Sequence, residues 1–146
     1  MPAEPTRGLL DTNILALRRW IPPEHLPEEM AISAVTVAEL AAGVHLVDGD
    51  DETANHERAR RVAVLQQTEN EFDAVTFDTS AARMFGQMAA SLKTAGRTPR
   101  RRALDLMIAA TAAVHQLPVY TTNPDDFAAL DELVEVVPVS RPPDAP

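Results

Sequence analysis

Gly8-Leu9-Leu10-Asp11-Thr12-Asn13 is the stretch on which the fold turns. Its short apolar run ends at an acid, which suits a buried parallel strand with a carboxylate at its tip. Asn13 to Trp20 then reads as a helix, stopped by Pro22-Pro23. Working outward, Met30 to Ser33 is a second strand, and Ser33 or Thr36 starts a helix that carries Val37, Leu40, Ala41 and Val44 and ends near Gly43. Thr53 to Glu71 is a long polar helix whose apolar stripe is Ala59, Val62, Ala63 and Leu65. Asp73 to Phe77 is strand-like, and Asp78 or Thr79 caps a helix running to Ala95. After the loop Gly96 to Pro99, Ala103 to Gln116 is helical, Pro118 to Thr121 a strand, Pro124 to Leu130 a short helix and Leu133 to Val137 a last strand. Short strands alternating with helices predict an α/β domain with a mostly parallel sheet, in which ligands collect at the carboxyl ends of the strands.

Three acids share an unusual setting. Asp11 closes the first strand, Glu39 lies in Ser33-Ala34-Val35-Thr36-Val37-Ala38-Glu39-Leu40, and Asp105 lies in Ala103-Leu104-Asp105-Leu106-Met107-Ile108-Ala109-Ala110. Each interrupts apolar sequence, where an ionised carboxylate is costly without a compensating cation. If the fold gathers them, a divalent metal is the natural compensator, and metal-assisted phosphodiester chemistry leads the functional readings.

The bulk composition narrows the alternatives. At 146 residues the chain is read as one domain, 1–146, with tails at 1–6 and 141–146 marked by their prolines. The absence of cysteine excludes disulfides, thiolate metal sites and a cysteine nucleophile. No apolar stretch is long enough for a membrane and no signal pattern opens the chain, so a cytoplasmic location is expected. A net charge of −9 argues against a general nucleic-acid coat protein. Local arginine groups survive within that acidity: Arg58, Arg60 and Arg61, and then Arg97, Arg100, Arg101 and Arg102 just ahead of Asp105. Such groups hold a phosphate backbone or simply face solvent, and the sequence weighs the two evenly for Arg100, Arg101 and Arg102.

These segments resemble those of PIN-domain nucleases, in particular the VapC toxins of bacterial toxin–antitoxin pairs. Leu10-Asp11-Thr12-Asn13 matches the strand-end motif, Ser33 to Leu40 with Gly43 the second, and Asp105 to Ala110 the third. Leu117-Pro118-Val119-Tyr120-Thr121-Thr122-Asn123-Pro124-Asp125-Asp126-Phe127 matches the fourth, all in family order. The resemblance implies a three-layer α/β/α PIN-like domain. It makes Asp11, Glu39 and Asp105 the metal-site acids and Asp126 the fourth, with Thr12, Asn13, Thr122 and Asn123 in support. Thr122 stands where many relatives carry arginine. The resemblance further implies a Mg²⁺ (or Mn²⁺) endoribonuclease that leaves a 5′-phosphate and a 3′-hydroxyl. Its implied substrate is a structured cellular RNA, with translation stopped as a result. A homodimer and a VapB-type antitoxin covering the acidic groove are expected as well.

Blander readings stand beside these. Singly, Asp11 reads as a helix cap, Asp105 as a first-turn aspartate favoured by the helix dipole, Glu39 as a solvated side chain and Asn13 as an N-cap. Asp48-Gly49-Asp50-Asp51-Glu52 lacks calcium-loop spacing, and the scattered histidines make no zinc motif. The main alternative is a PIN-like module that binds RNA or protein without cutting. A phospho-receiver domain ranks last, because it needs an early acidic pair and a placed lysine, whereas Lys93 is the only lysine.

Overall fold

A computed structural model describes residues 3–146, apart from the side chain of Arg101. Met1 and Pro2 of the expected N-terminal tail, and the Arg101 side chain, lie outside the described residues. Four strands, β1 (Arg7–Leu10), β2 (Glu29–Ala31), β3 (Val119–Thr121) and β4 (Val136–Pro138), form one sheet in the order β2-β1-β3-β4. All three pairings are parallel, with Leu9 beside both Ala31 and Val119. A parallel sheet brings its strand ends to one edge, so Asp11, Ser33 and Thr121 emerge together.

Alternation along β1 divides the core. Leu9 joins a cluster with Val119, Met88, Leu92, Leu106, Ile108 and Phe127, whereas Leu10 joins one with Tyr120, Ile14, Leu17, Ile21 and Ile32. Successive strand side chains point to opposite faces, so each face is packed against helices. α4 (Thr79–Thr94) and α5 (Ala103–Val114) cover the first face, and α1 (Thr12–Leu17) the second. The expected three-layer α/β/α order results.

Local chemistry explains where the helices begin. Asp78 Oδ1 accepts the Ala81 N–H of α4, and Ser33 Oγ accepts the Val35 N–H of α2 (Ala34–His45), satisfying otherwise orphaned donors. Asp51 does the same for α3 (Glu52–Glu71). Gly43, expected near the end of α2, lies inside it, and its carbonyl accepts Arg61 of α3 at 2.7 Å.

Four expectations change. Asp73–Phe77 forms only an isolated parallel bridge, Val75 with Ser33, because the chain leaves α3 at Phe72 and is already capping α4 at Asp78. The first helix is α-helical only to Leu17 and closes as a 3-10 turn over Arg18–Trp20. The short helix expected over Pro124–Leu130 is a 3-10 turn, Pro124–Phe127. The last strand starts at Val136, because the N–H groups of Leu133 and Val134 both turn back to the Leu130 carbonyl. Within the expected tails, Thr6 accepts from the Glu28 and Glu29 N–H groups and Pro142 is buried, while residues 3–5 are exposed. No helix among the described residues is long and apolar enough to cross a membrane.

Candidate active site

Asp11 is anchored before its side chain does anything. Its N–H donates to the Tyr120 carbonyl at 2.9 Å, extending the ladder between β1 and β3 by one residue. The side chain is 4% exposed, and both carboxylate oxygens are occupied. Oδ1 accepts the Thr12 N–H at 2.8 Å, and Oδ2 accepts the hydroxyl of fully buried Thr121 at 2.8 Å. Asp11 is therefore the N-cap of α1 as well as the buried acid, and the N-cap reading of Asn13 falls away. Asn13 is exposed on the first turn of α1.

Thr12 links the first acid to the second. Its hydroxyl donates to Glu39 Oε1 at 2.7 Å and lies 3.0 Å from the hydroxyl of Thr36, which is fully buried. A hydroxyl has one proton to give, so Thr36 must be the donor in the second contact. One threonine thus locks α1 to α2 and fixes the reach of Glu39.

Asp105 lies in the first turn of α5 and Asp126 on the 3-10 turn after β3. Arg102, the residue preceding α5, joins them: its Nη1 donates to Asp126 Oδ1 and stands 3.9 Å from Asp105 Oδ2. Nearby, Arg97 Nη1 donates to the Asp125 carbonyl at 3.2 Å, while Arg100 is exposed. Asn123 follows β3, and its N–H donates to Thr121 Oγ1 at 2.9 Å. The Thr122 hydroxyl is buried with no partner among the described residues.

The electrostatics follow from this arrangement. Burial pushes the Asp11 carboxyl above its ordinary value, against the hydrogen bonds from Thr121 and Thr12, and Asp126 adds to the rise. Burial raises Glu39 too, opposed by Thr12 and reinforced by Asp11. Asp105 is pushed up to about 6, first by burial and then by Asp11, Asp126 and Glu39, with only Arg102 pulling down. Four carboxylates from four separate elements therefore feel one another. Among the described residues no three of them are drawn together closely enough to hold an ion as they stand. The donor set is all oxygen, which suits a hard divalent cation and no soft one.

These acids do not line the cleft between the first and third helices. That cleft, of about 390 Å³, is lined by Leu15, Ala16, Trp20 and Val64, and its one acid, Glu71, is already paired with Arg18. Sequence reasoning missed Thr36 and Thr121. Their only signal was a hydroxyl at the mouth of an apolar run, in Ala34-Val35-Thr36-Val37 and Val119-Tyr120-Thr121.

Comparison with known proteins identifies the family. The PIN domain family model matches residues 9–133. The chain is 37% identical over 139 residues to Ribonuclease VapC5 of Mycobacterium tuberculosis, covering 93% of this chain and 96% of that protein. It is 34% identical over 137 residues to Toxin FitB of Neisseria gonorrhoeae, covering 86% and 94% respectively. The crystal structure of VapBC-5, a toxin–antitoxin system of M. tuberculosis, matches with a TM-score of 0.74 at 34% identity, over 93% of this chain and 99% of that one. A parallel sheet packed between helices, and relatives that match over most of both chains, lead to one conclusion: the chain belongs to the PIN domain family, within its VapC branch of ribonuclease toxins.

Proposed function

We propose that this chain is a Mg²⁺-dependent endoribonuclease toxin that cuts structured cellular RNA, stops translation, and is held in check by a VapB-type antitoxin. The observation that carries the reading is two linked pairs of acids at the carboxyl edge of the sheet: Thr12 ties Asp11 to Glu39, and Arg102 ties Asp105 to Asp126. A divalent ion bound there supplies a Lewis acid for the scissile phosphate and makes water nucleophilic at neutral pH. Asp11 and Asp105 are the direct ligands, Glu39 binds the ion or orients the water, and Asp126 completes the acidic ring. Thr12, Thr36 and Thr121 hold these carboxylates in place, so little rearrangement of Asp11 and Glu39 accompanies the reaction. Asn123 and Thr122 support the same edge from the turn after β3. Mn²⁺, with the same preference for oxygen ligands, should substitute.

The antitoxin partner is supported by similar structures solved from toxin–antitoxin systems, VapBC-5 of M. tuberculosis and a toxin–antitoxin complex of Klebsiella pneumoniae. A homodimer and a cytoplasmic location complete the reading. The test is incubation of the purified protein with total RNA, with Mg²⁺ or with EDTA. Cutting should require the metal and disappear in Asp11→Asn and Asp105→Asn. Cutting that persists in EDTA or in either variant refutes the mechanism.

One observation favours the rival reading of a non-cutting RNA- or protein-binding module: the acids do not form a ready ion cage and Arg102 already neutralises part of them. Calorimetric titration with Mn²⁺ separates the two. A nuclease loses a metal site on Asp11→Asn, whereas an inert module has none to lose.

A further inference from the structure

Arg102 occupies a place that helix electrostatics disfavours. It immediately precedes α5, where the aligned peptide dipoles present positive charge, and it makes no side-chain cap there. A cation persists in such a position when something stronger holds it, and two carboxylates do. Both are approached by one nitrogen, Nη1, which contacts Asp126 Oδ1 and lies 3.9 Å from Asp105 Oδ2. The guanidinium therefore acts here as a single positive charge between two acids rather than as a two-pronged fork. Its Nε and Nη2 make no hydrogen bond among the described residues. The side chain is 36% exposed, so it has room to turn.

We propose that Arg102 is a displaceable counter-ion: it neutralises Asp126 and Asp105 in the metal-free protein, yields them to a divalent ion, and then carries its two unused nitrogens to a phosphate of the RNA backbone. Three parts of the geometry support this exchange. Arg102 is the one cation within ion-pair distance of either acid among the described residues, so when a metal arrives it is the group that must give way. The remaining members of the acidic group, Asp11 and Glu39, are instead held by threonine hydroxyls and a backbone N–H, which stay put whatever the ion does. A guanidinium fork beside a scissile phosphate is also well matched to charge that grows on the phosphate oxygens during displacement. Arg100 lies exposed and Arg97 donates to a carbonyl, so neither duplicates the contact.

The inference rests on the metal-dependent reading above and is tested so that the two fail differently. Mn²⁺ is titrated calorimetrically, without RNA, into the full-length wild type, Arg102→Gln, Arg102→Lys and Asp11→Asn. RNA cleavage at saturating metal is then resolved into kcat and KM. If Arg102 competes with the ion, Arg102→Gln binds Mn²⁺ about three- to tenfold more tightly than wild type. The same variant loses at least about tenfold in kcat. Arg102→Lys restores the weaker metal affinity because it restores the charge, but recovers only part of kcat because it lacks the fork. Metal affinity that is unchanged or weaker in Arg102→Gln overturns the counter-ion, and kcat that is unchanged overturns the phosphate contact. Wild type with no Mn²⁺ site to lose in Asp11→Asn refutes the metal reading itself, and the displaceable counter-ion with it.

Discussion

Replacing Asp105 by asparagine should stabilise the metal-free protein, although it removes a residue assigned to the site. The Asp105 carboxyl ordinarily titrates near 3.8 and is pushed up to about 6 in the fold, by burial first and by three neighbouring acids next. The folded state therefore holds its proton more firmly than the unfolded chain does. As pH rises through the interval between those values, the unfolded chain releases its proton first and stability falls; above about 6 the whole penalty is present. At about 1.4 kcal/mol per pH unit the penalty has a ceiling near 3 kcal/mol. The Asp105 side chain is 27% exposed and shares its repulsion with Asp11, Glu39 and Asp126. The neutral isostere should then recover about 1–2 kcal/mol, or roughly 3–6 °C in Tm for a chain of this size. Thermal unfolding followed by circular dichroism in EDTA provides the assay. The variant should melt above wild type at about pH 7.5, and the gap should narrow to a small remainder by about pH 4, where the folded carboxyl is protonated and the unfolded one is about half ionised. Adding Mn²⁺ at the higher pH should raise wild type more than the variant, because the ion relieves the same repulsion. A variant less stable than wild type in EDTA near neutrality, or a gap that does not change with pH, refutes the reasoning.

Other perturbations probe the hydroxyl network and the sheet. Thr121→Val takes away the donor to Asp11 Oδ2 and the acceptor of the Asn123 N–H, and should cost about 2 kcal/mol in urea unfolding. With that bond gone the Asp11 carboxyl rises further, so the cleavage profile should shift toward higher pH. Thr12→Val frees Glu39 from α1 and should reduce kcat at least about tenfold with stability lowered by only about 1 kcal/mol, whereas Thr12→Ser should keep most activity. Gly8→Ala drives a Cβ into the Tyr120 ring, which lies over Gly8, two residues before its partner Leu10, and should cost about 1–3 kcal/mol by denaturant titration.

How much of this could be read from the chain differs between the fold and its details. Helix starts were legible because their signal is local: Ser33, Asp51 and Asp78 are short polar side chains that satisfy an N–H two or three residues on. Strand ends were less so. Val75 has the apolar neighbours of a strand residue, yet a ladder depends on a partner and on room between α3 and α4, and those residues supply only one bridge. Leu133 and Val134 look like a strand opening but spend their N–H groups on a turn to Leu130, a choice made by the three-dimensional path of the chain. Leu9 and Leu10, fully buried on opposite faces of β1, mark it as a strand covered on both sides, but the order β2-β1-β3-β4 depends on pairings between distant segments that no local pattern carries.

The site divides along a similar line. Asp11, Glu39 and Asp105 stood out because a carboxylate inside apolar sequence demands a reason, whereas Thr36 and Thr121 did not, since threonine is at ease in a strand or a first helical turn. Their function depends on which residue they face, Thr12 for Thr36 and Asp11 for Thr121, and that is fixed by packing across 24 and 110 residues of chain respectively. The arginine run shows the limit most clearly. Arg97, Arg100 and Arg102 lie within six residues and look alike in sequence. The 3-10 turn over Pro99–Arg102 has three residues per turn, so it sends neighbouring side chains in different directions. Arg100 is left in solvent, Arg97 holds the loop at Asp125, and only Arg102 of the three enters the acidic group. Charge counted along the chain treats these residues as one patch, but their placement separates a structural contact from a counter-ion. Deleting Arg97 and Arg102 one at a time should therefore give different results: Arg102→Gln alters metal affinity, and Arg97→Gln leaves it unchanged.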